Sequence, residues 1–281
     1  SHSPGIQNGG PMFHMNPHGH RCCQHNFGHG WPYFAQHLWY ATPDNGLAAV
    51  FYNDCRVSAK VGDNGTAVAI RQNTRYPLDS TASFTLETDA EVSFPLYLRV
   101  PGWCEAPSVK INGQSIAVDA RPRQFIALAR RWSDGDTIEL SLPMKLTVHR
   151  WKKNQDSVSV SRGPLTYSLA IGEEYVQNGG TDDWPAWEIF PTTPWNIGLL
   201  FDENDLDSSF QLTTRDWPAG ATPWTQDSVP LVLTAKGKQI PHWKLDQHGL
   251  CGTLQPSPIR SEQPTETIRL IPMGAARLRL S

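Results

Sequence analysis

Two adjacent cysteines, Cys22 and Cys23, stand in the run His20-Arg21-Cys22-Cys23-Gln24-His25-Asn26, and seven of the ten histidines fall within the first 37 residues. Neighbouring cysteines seldom close a disulfide with each other, because the small ring strains the sulfur torsion away from its preferred value. Thiols beside imidazoles point instead to a metal site, a reactive thiolate, or both. Thiolate sulfur and imidazole nitrogen are good zinc ligands, and His14, His18, His20, His25 and His29 are available near the pair. The paired C-x2-C and H-x3-H spacing of a self-contained finger is missing, so spacing alone does not close a metal site within this chain. Taken singly, the histidines read equally well as exposed polar surface or as the wall of a sugar pocket, where imidazole and indole offer hydrogen bonds and flat apolar faces. The polar flanks of Cys22 and Cys23 favour a functional pair over two packed thiols. Cys55, Cys104 and Cys251 lie in apolar or turn contexts and are expected to be buried and inert.

The elements that must position this pair come next. A length of 281 residues predicts two domains with sizeable cores. Hydrophobic content of 39%, charged content of 18% and a net charge of −3 give no electrostatic bias toward nucleic acid or an anionic membrane. No apolar run approaches the length of a bilayer span, and the amino end lacks the charged-then-apolar order of a signal peptide, so the compartment stays open. The opening Ser1-His2-Ser3-Pro4-Gly5 resembles neither an initiator sequence nor the start of a folded element, which suggests a fragment.

Residues 1–20 are rich in Gly, Pro, His and Asn and are expected to be irregular. Trp31, Phe34, Ala35, Leu38 and Trp39 recur on one helical face, with Pro32 in the first turn, and predict a helix over 31–40 that Thr42-Pro43-Asp44-Asn45-Gly46 stops. Beyond Gly46 short β-rich runs take over: 47–52, 66–71, 83–88, 92–100, 109–111 and 125–128, then 157–161, 165–171, 229–234 and 268–271. Asp63-Asn64-Gly65, Pro101-Gly102, Asn112-Gly113 and Asp134-Gly135-Asp136 punctuate them with residues that tolerate tight-turn angles. The pattern suits antiparallel β-sandwiches. Residues 178–195 and 202–207 read as exposed connections.

At this point the sequence resembles glycoside hydrolase family 127, the β-L-arabinofuranosidase-like enzymes, over nearly its whole length. The signature is Cys22-Cys23-Gln24-His25-Asn26, followed in the family's order by Leu98-Arg99-Val100-Pro101-Gly102-Trp103, Lys110-Ile111-Asn112-Gly113, Arg131-Trp132-Ser133-Asp134-Gly135-Asp136, Leu142-Pro143-Met144, Arg162-Gly163-Pro164-Leu165 and Leu270-Ile271-Pro272-Met273-Gly274. The resemblance implies a mainly β chain: two antiparallel β-sandwich domains preceded by a short helical remnant of an (α/α)6 barrel. Residues 1–43 would end the barrel, 44–146 would form the first sandwich, with 274–281 as a candidate to complete it, and 147–273 the second.

The resemblance further implies a retaining glycosidase acting on a carbohydrate substrate, with Cys22 as nucleophile and Cys22 and Cys23 as ligands of a Zn2+ ion. The remaining ligands and the glutamate acid/base would come from an upstream barrel segment, leaving this chain inactive alone, with a homodimer left open. Where many members carry two prolines between the second cysteine and the asparagine, this chain has Gln24 and His25, and the His-rich loop 13–20 precedes the pair. The sugar is therefore left open, with His20 and His25 as substrate-contact candidates. Two rival functions stand beside this one. A noncatalytic carbohydrate-binding or structural β-sandwich protein would use tryptophans such as Trp184, Trp187 and Trp195 to stack on sugars, although most of the eleven tryptophans are expected in cores and seams. A metal-binding or redox module would explain the thiols but not the long β-rich tail.

Overall fold

The computed structural model describes residues 22–279 except 221, 248 and 250, and for residues 22–27 it describes the backbone alone. The chain forms two compact units that divide in sequence between Lys145 and Leu146.

The first unit begins with helix α1, Cys22–Gln36. Ten strands follow: β1 Trp39–Ala41, β2 Leu47–Ala49, β3 Cys55–Val61, β4 Thr66–Thr74, β5 Thr81–Thr88, β6 Val92–Arg99, β7 Ser108–Ile111, β8 Gln114–Ile116, β9 Phe125–Trp132 and β10 Thr137–Ser141. They make a four-stranded sheet in the order β1-β2-β6-β9 and a six-stranded sheet in the order β3-β4-β5-β10-β7-β8. Alternation decides which face is inside. Val92, Phe94, Leu96 and Leu98 of β6 point to the core from one sheet, and Ala82, Phe84 and Leu86 of β5 from the other. One pairing, β2 with β6, is parallel, an exception to the expected antiparallel pattern that arises because three strands of the opposite sheet intervene between them in sequence.

The expected helix over 31–40 is displaced. The helix begins at the cysteines and ends at Gln36, while Leu38 and Trp39, counted on its apolar face, are buried in the sandwich core instead, Trp39 as the first residue of β1. A helical period and a short buried strand make the same apolar demand there, and burial against the sheets wins. The segment 42–46 is likewise not a helix stop but the β1–β2 hairpin loop, closed by Thr42 N–H donating to Gly46 O at 3.1 Å. A side chain at Gly46 would place its Cβ 2.2 Å from the carbonyl oxygen of Pro95, so the close approach of this loop to β6 requires glycine. Asn112 and Gly113 both take positive φ, 51° and 78°, in the two-residue turn between β7 and β8, as the Asn-Gly pair predicts.

The second unit contains β11 Leu146–Trp151, β12 Ser157–Arg162, β13 Leu165–Leu169, β14 Glu173–Gly180, β15 Pro185–Pro191, β16 Ile197–Leu200, α2 Leu206–Ser209, β17 Gln211–Thr214, β18 Leu231–Gln239 and β19 Glu266–Pro272. Seven of the strands form one sheet in the order β11-β12-β13-β19-β18-β16, with β17 beside β16 along the same edge of β18. The other two, β14 and β15, pair only with each other, as a hairpin where an irregular connection was expected. The 202–207 connection carries the start of α2, whose amino end is capped by Asp205 accepting from Ser208 N–H.

Met273–Ala275 forms a 3-10 turn, and Ala275 and Ala276 enter the core of this second unit with Val229, Val232 and Ile271. Of the segment considered for the first sandwich, 274–281, positions 280 and 281 lie outside the described residues, and the described part thus packs in the second unit. Glu173 holds it there: its carboxylate accepts from Tyr175 Oη at 2.9 Å, Gln226 Nε2 at 2.8 Å, Arg277 N–H at 3.0 Å and Leu278 N–H at 3.3 Å. Partial burial pushes the carboxyl upward, but the donors from Tyr175, Arg277, Gln226 and Leu278 outweigh it and leave its pKa below the ordinary value. A pKa lower in the folded state means stabilisation that is present above the unfolded value, about pH 4.3, and is lost as pH falls through the folded one. Glu173→Gln is therefore expected to lower stability at pH 7 by about 1 kcal/mol, with the gap to wild type closing in acid. Urea unfolding at both pH values reads it, and an equal gap at both would contradict the charge-based account.

Candidate functional site

The helix α1 that carries the cysteine pair is poor in intrinsic propensity, with Gly28, Gly30 and Pro32 inside it. Residues 28–33 are exposed, Trp31 at 61% and Tyr33 at 64%. What holds α1 is its carboxy-terminal turn. Phe34 packs against Phe51 with ring centroids 5.6 Å apart, and the Arg99 guanidinium lies 5.5 Å above the opposite partner of that pair, the Phe51 ring. Arg99 in turn donates to Val50 O at 3.2 Å and accepts at its own carbonyl from Tyr52 Oη at 2.5 Å. Burial drives the Tyr52 phenol far above its ordinary pKa, so it stays a neutral donor. Just beyond the helix, Leu38 O accepts from Val50 N–H at 2.9 Å and fixes the exit into β1.

Cys22 and Cys23 open α1. Positions 22, 25 and 29 fall on one helical face by their offsets, with 23 and 26 beside them. The side chains of Cys22, Cys23 and His25 lie outside the described residues, as does all of His20, while His29 is exposed. Among the described residues no group of three or more His, Cys, Asp and Glu side chains is arranged to hold a metal ion.

The other cysteines are free thiols of a different kind. Cys104 is fully buried, Cys55 half-buried, and burial raises the pKa of both. Cys251, expected to be buried, is exposed, although partial desolvation raises its pKa as well. None of the three has the electropositive setting of a reactive thiolate.

The tryptophans divide between core and surface more evenly than expected. Trp39, Trp132 and Trp243 are buried, whereas Trp184 and Trp187 on the β14–β15 hairpin are 82% and 50% exposed. Trp195, beyond that hairpin, is half-buried and meets Trp243 edge to face at 5.1 Å. Sequence reasoning did not find the Trp195–Trp243 pair or the Phe34–Phe51–Arg99 anchor, since both join residues far apart in the chain; for Phe34 alone, the helical period was a usable signal.

Residues 46–144 match the family described as beta-L-arabinofuranosidase, GH127 middle domain. No curated protein matches the sequence. Among solved structures, the chain is similar to a GH127 β-L-arabinofuranosidase from Geobacillus stearothermophilus, with 24% identity and a TM-score of 0.62 over 90% of this chain and 35% of that one. A protein described as a glycoside hydrolase has 24% identity and a TM-score of 0.61, over 91% of this chain and 37% of the other. A GH127 β-arabinofuranosidase has 17% identity and a TM-score of 0.60, over 90% and 36%. The shared fold thus runs through both units, and the chain spans little more than a third of the length of each structure.

Proposed function

We propose that this chain, whose residues 46–144 match the GH127 middle-domain family, is the part of a retaining β-L-arabinofuranosidase-like glycosidase that carries the nucleophile, Cys22. The observation that carries this reading is the Cys22-Cys23-Gln24-His25-Asn26 run at the start of α1, a helix anchored by Phe34 onto the matched domain. The exposed Trp31 and Tyr33 support a helix that packs against further helices of a catalytic barrel supplied by an upstream segment.

In the first step the Cys22 thiolate attacks the anomeric carbon of a bound furanoside. A C–S bond forms as the glycosidic C–O bond breaks, and the leaving oxygen takes a proton from a carboxylic acid outside this chain. In the second step the resulting carboxylate removes a proton from water, whose oxygen displaces the sulfur. The thiolate is restored, and two inversions leave the anomeric configuration retained. The donor chemistry of two adjacent thiols fits a zinc ion, which Cys22 and Cys23 would help to hold. When bound, the ion supplies Lewis acidity that keeps a thiol ionised at neutral pH. His20 and His25, flanking the pair, serve as contacts to the sugar hydroxyls.

With the acid/base and the remaining ligands elsewhere, the isolated chain is expected to be hydrolytically inactive. Release of nitrophenol from an aryl arabinofuranoside by the isolated chain tests this, and turnover that disappears in Cys22→Ser would overturn the division of the site between segments.

A further inference from the structure

The second unit contains a cleft of about 410 Å³ that the glycosidase reading does not use, lined by Thr192, Trp195, Asn196, Gln239, Trp243 and Lys244 among others. Its floor is the Trp195–Trp243 pair. In an edge-to-face pair the partner leaves ring faces uncovered, and the accessible indole is Trp195, since Trp243 is 7% exposed. The floor is rigidly set. Trp243 donates through Nε1 to Gly252 O at 3.0 Å, and the buried Asn196 donates through Nδ2 to Ile240 O at 2.9 Å and Trp243 O at 3.0 Å, while its Oδ1 accepts from Gln239 Nε2 at 3.1 Å.

These bonds leave a particular set of polar groups without a partner among the described residues. Gln239 uses its amide N–H on Asn196 and keeps its Oε1 as an acceptor; the Trp195 indole N–H and the Lys244 ammonium remain as donors. A flat indole face with an amide acceptor and two donors at its rim matches a sugar ring, which presents an apolar C–H face to stack and hydroxyls around its edge that both donate and accept. An acyl chain would leave these polar groups unmatched.

We propose that this cleft is a second, noncatalytic saccharide-binding site that holds one ring of a neutral glycan chain against Trp195. It is built wholly from residues of the second unit, so the proposal stands whether or not the thiolate reading holds. Its occupant is bound by stacking and hydroxyl contacts, with no bond made or broken.

The test uses the 281-residue chain titrated with an L-arabinofuranose-containing oligosaccharide and, separately, with cellohexaose, while the tryptophan indole N–H resonances are followed by NMR. The expected result is a saturable shift of the Trp195 indole signal with at least one of the two sugars. The apparent affinity is expected to fall about tenfold in Trp195→Ala and measurably in Lys244→Ala, and to hold in Trp184→Ala. Lys244 is exposed, so that variant reports on the cleft even where Trp195→Ala perturbs the fold. No shift with either sugar overturns the proposal, as does binding that Lys244→Ala and Trp195→Ala leave unchanged. Binding lost only in Trp184→Ala would also overturn it, because the sugar would then sit on the hairpin.

Discussion

Cys22→Ser, made in the longest product of the reading frame that contains this chain, is expected to lose turnover by at least about a thousandfold, and to do so even in the fraction of the protein that still holds zinc. A serine hydroxyl at the same position is un-ionised at neutral pH and has no comparable nucleophilicity, so the glycosyl–enzyme bond does not form. Cys23→Ser is expected to differ in kind. It removes a soft ligand and leaves the attacking atom in place, so zinc falls below one equivalent and the remaining activity follows the remaining metal. The separation is read by metal analysis and kcat on the same preparations. Equal zinc loss in both variants with residual turnover in Cys22→Ser would make the pair a structural metal clip and move the nucleophile elsewhere.

The second large effect lies in the core of the first sandwich. Trp132 is fully buried at the end of β9, donates through Nε1 to Phe94 O at 3.0 Å, lies 6.0 Å from the Phe94 ring and has the Arg130 guanidinium 5.1 Å from its own ring. Trp132→Ala deletes the largest fully buried side chain and leaves a carbonyl acceptor unmatched, and is expected to cost about 3–5 kcal/mol. Trp132→Phe keeps much of the volume and loses the N–H, at about 1–3 kcal/mol. Denaturant unfolding monitored on the first unit measures both. A cost under about 1 kcal/mol for the alanine variant would contradict the packing described here.

Strands were legible where alternation was strong. The β5 and β6 runs carry apolar residues at every second position and sit between neighbours, so pattern and burial agree. The edge strand β3, Cys-Arg-Val-Ser-Ala-Lys-Val, alternates as regularly but was passed over, because its apolar side chains are small and only Val61 is fully buried. The β14–β15 hairpin is exposed almost throughout, so its Gly-, Asp- and Pro-rich composition read as a loop although its backbone pairs in register from Glu173 to Gln177. The start of α1 was missed because Gly28, Gly30 and Pro32 interrupt the helical pattern.

For the site, the sequence singles out Cys22 and Cys23 by residue type and spacing, and the role proposed for them awaits the tests above. How α1 is held was not legible, because Arg99 reaches Phe51 and Val50 from half the sandwich away in sequence. Only the six collinear motifs allowed the thiols to be read as a glycosidase nucleophile rather than a metal or redox module. Five of the six motifs begin or lie in strands or turns that the fold confirms as elements of the two units, including the Asn112-Gly113 turn and the β19 run through Leu270 and Ile271.

The most direct measurement is covalent labelling with a mechanism-based furanoside, read by peptide mass mapping with zinc content in parallel, on the isolated chain and on the longest product of its reading frame. The expected result is one zinc and a single adduct on Cys22 in the longer protein, and neither in the isolated chain. An adduct on any other residue, or no adduct and no zinc in either protein, would contradict a thiolate glycosidase.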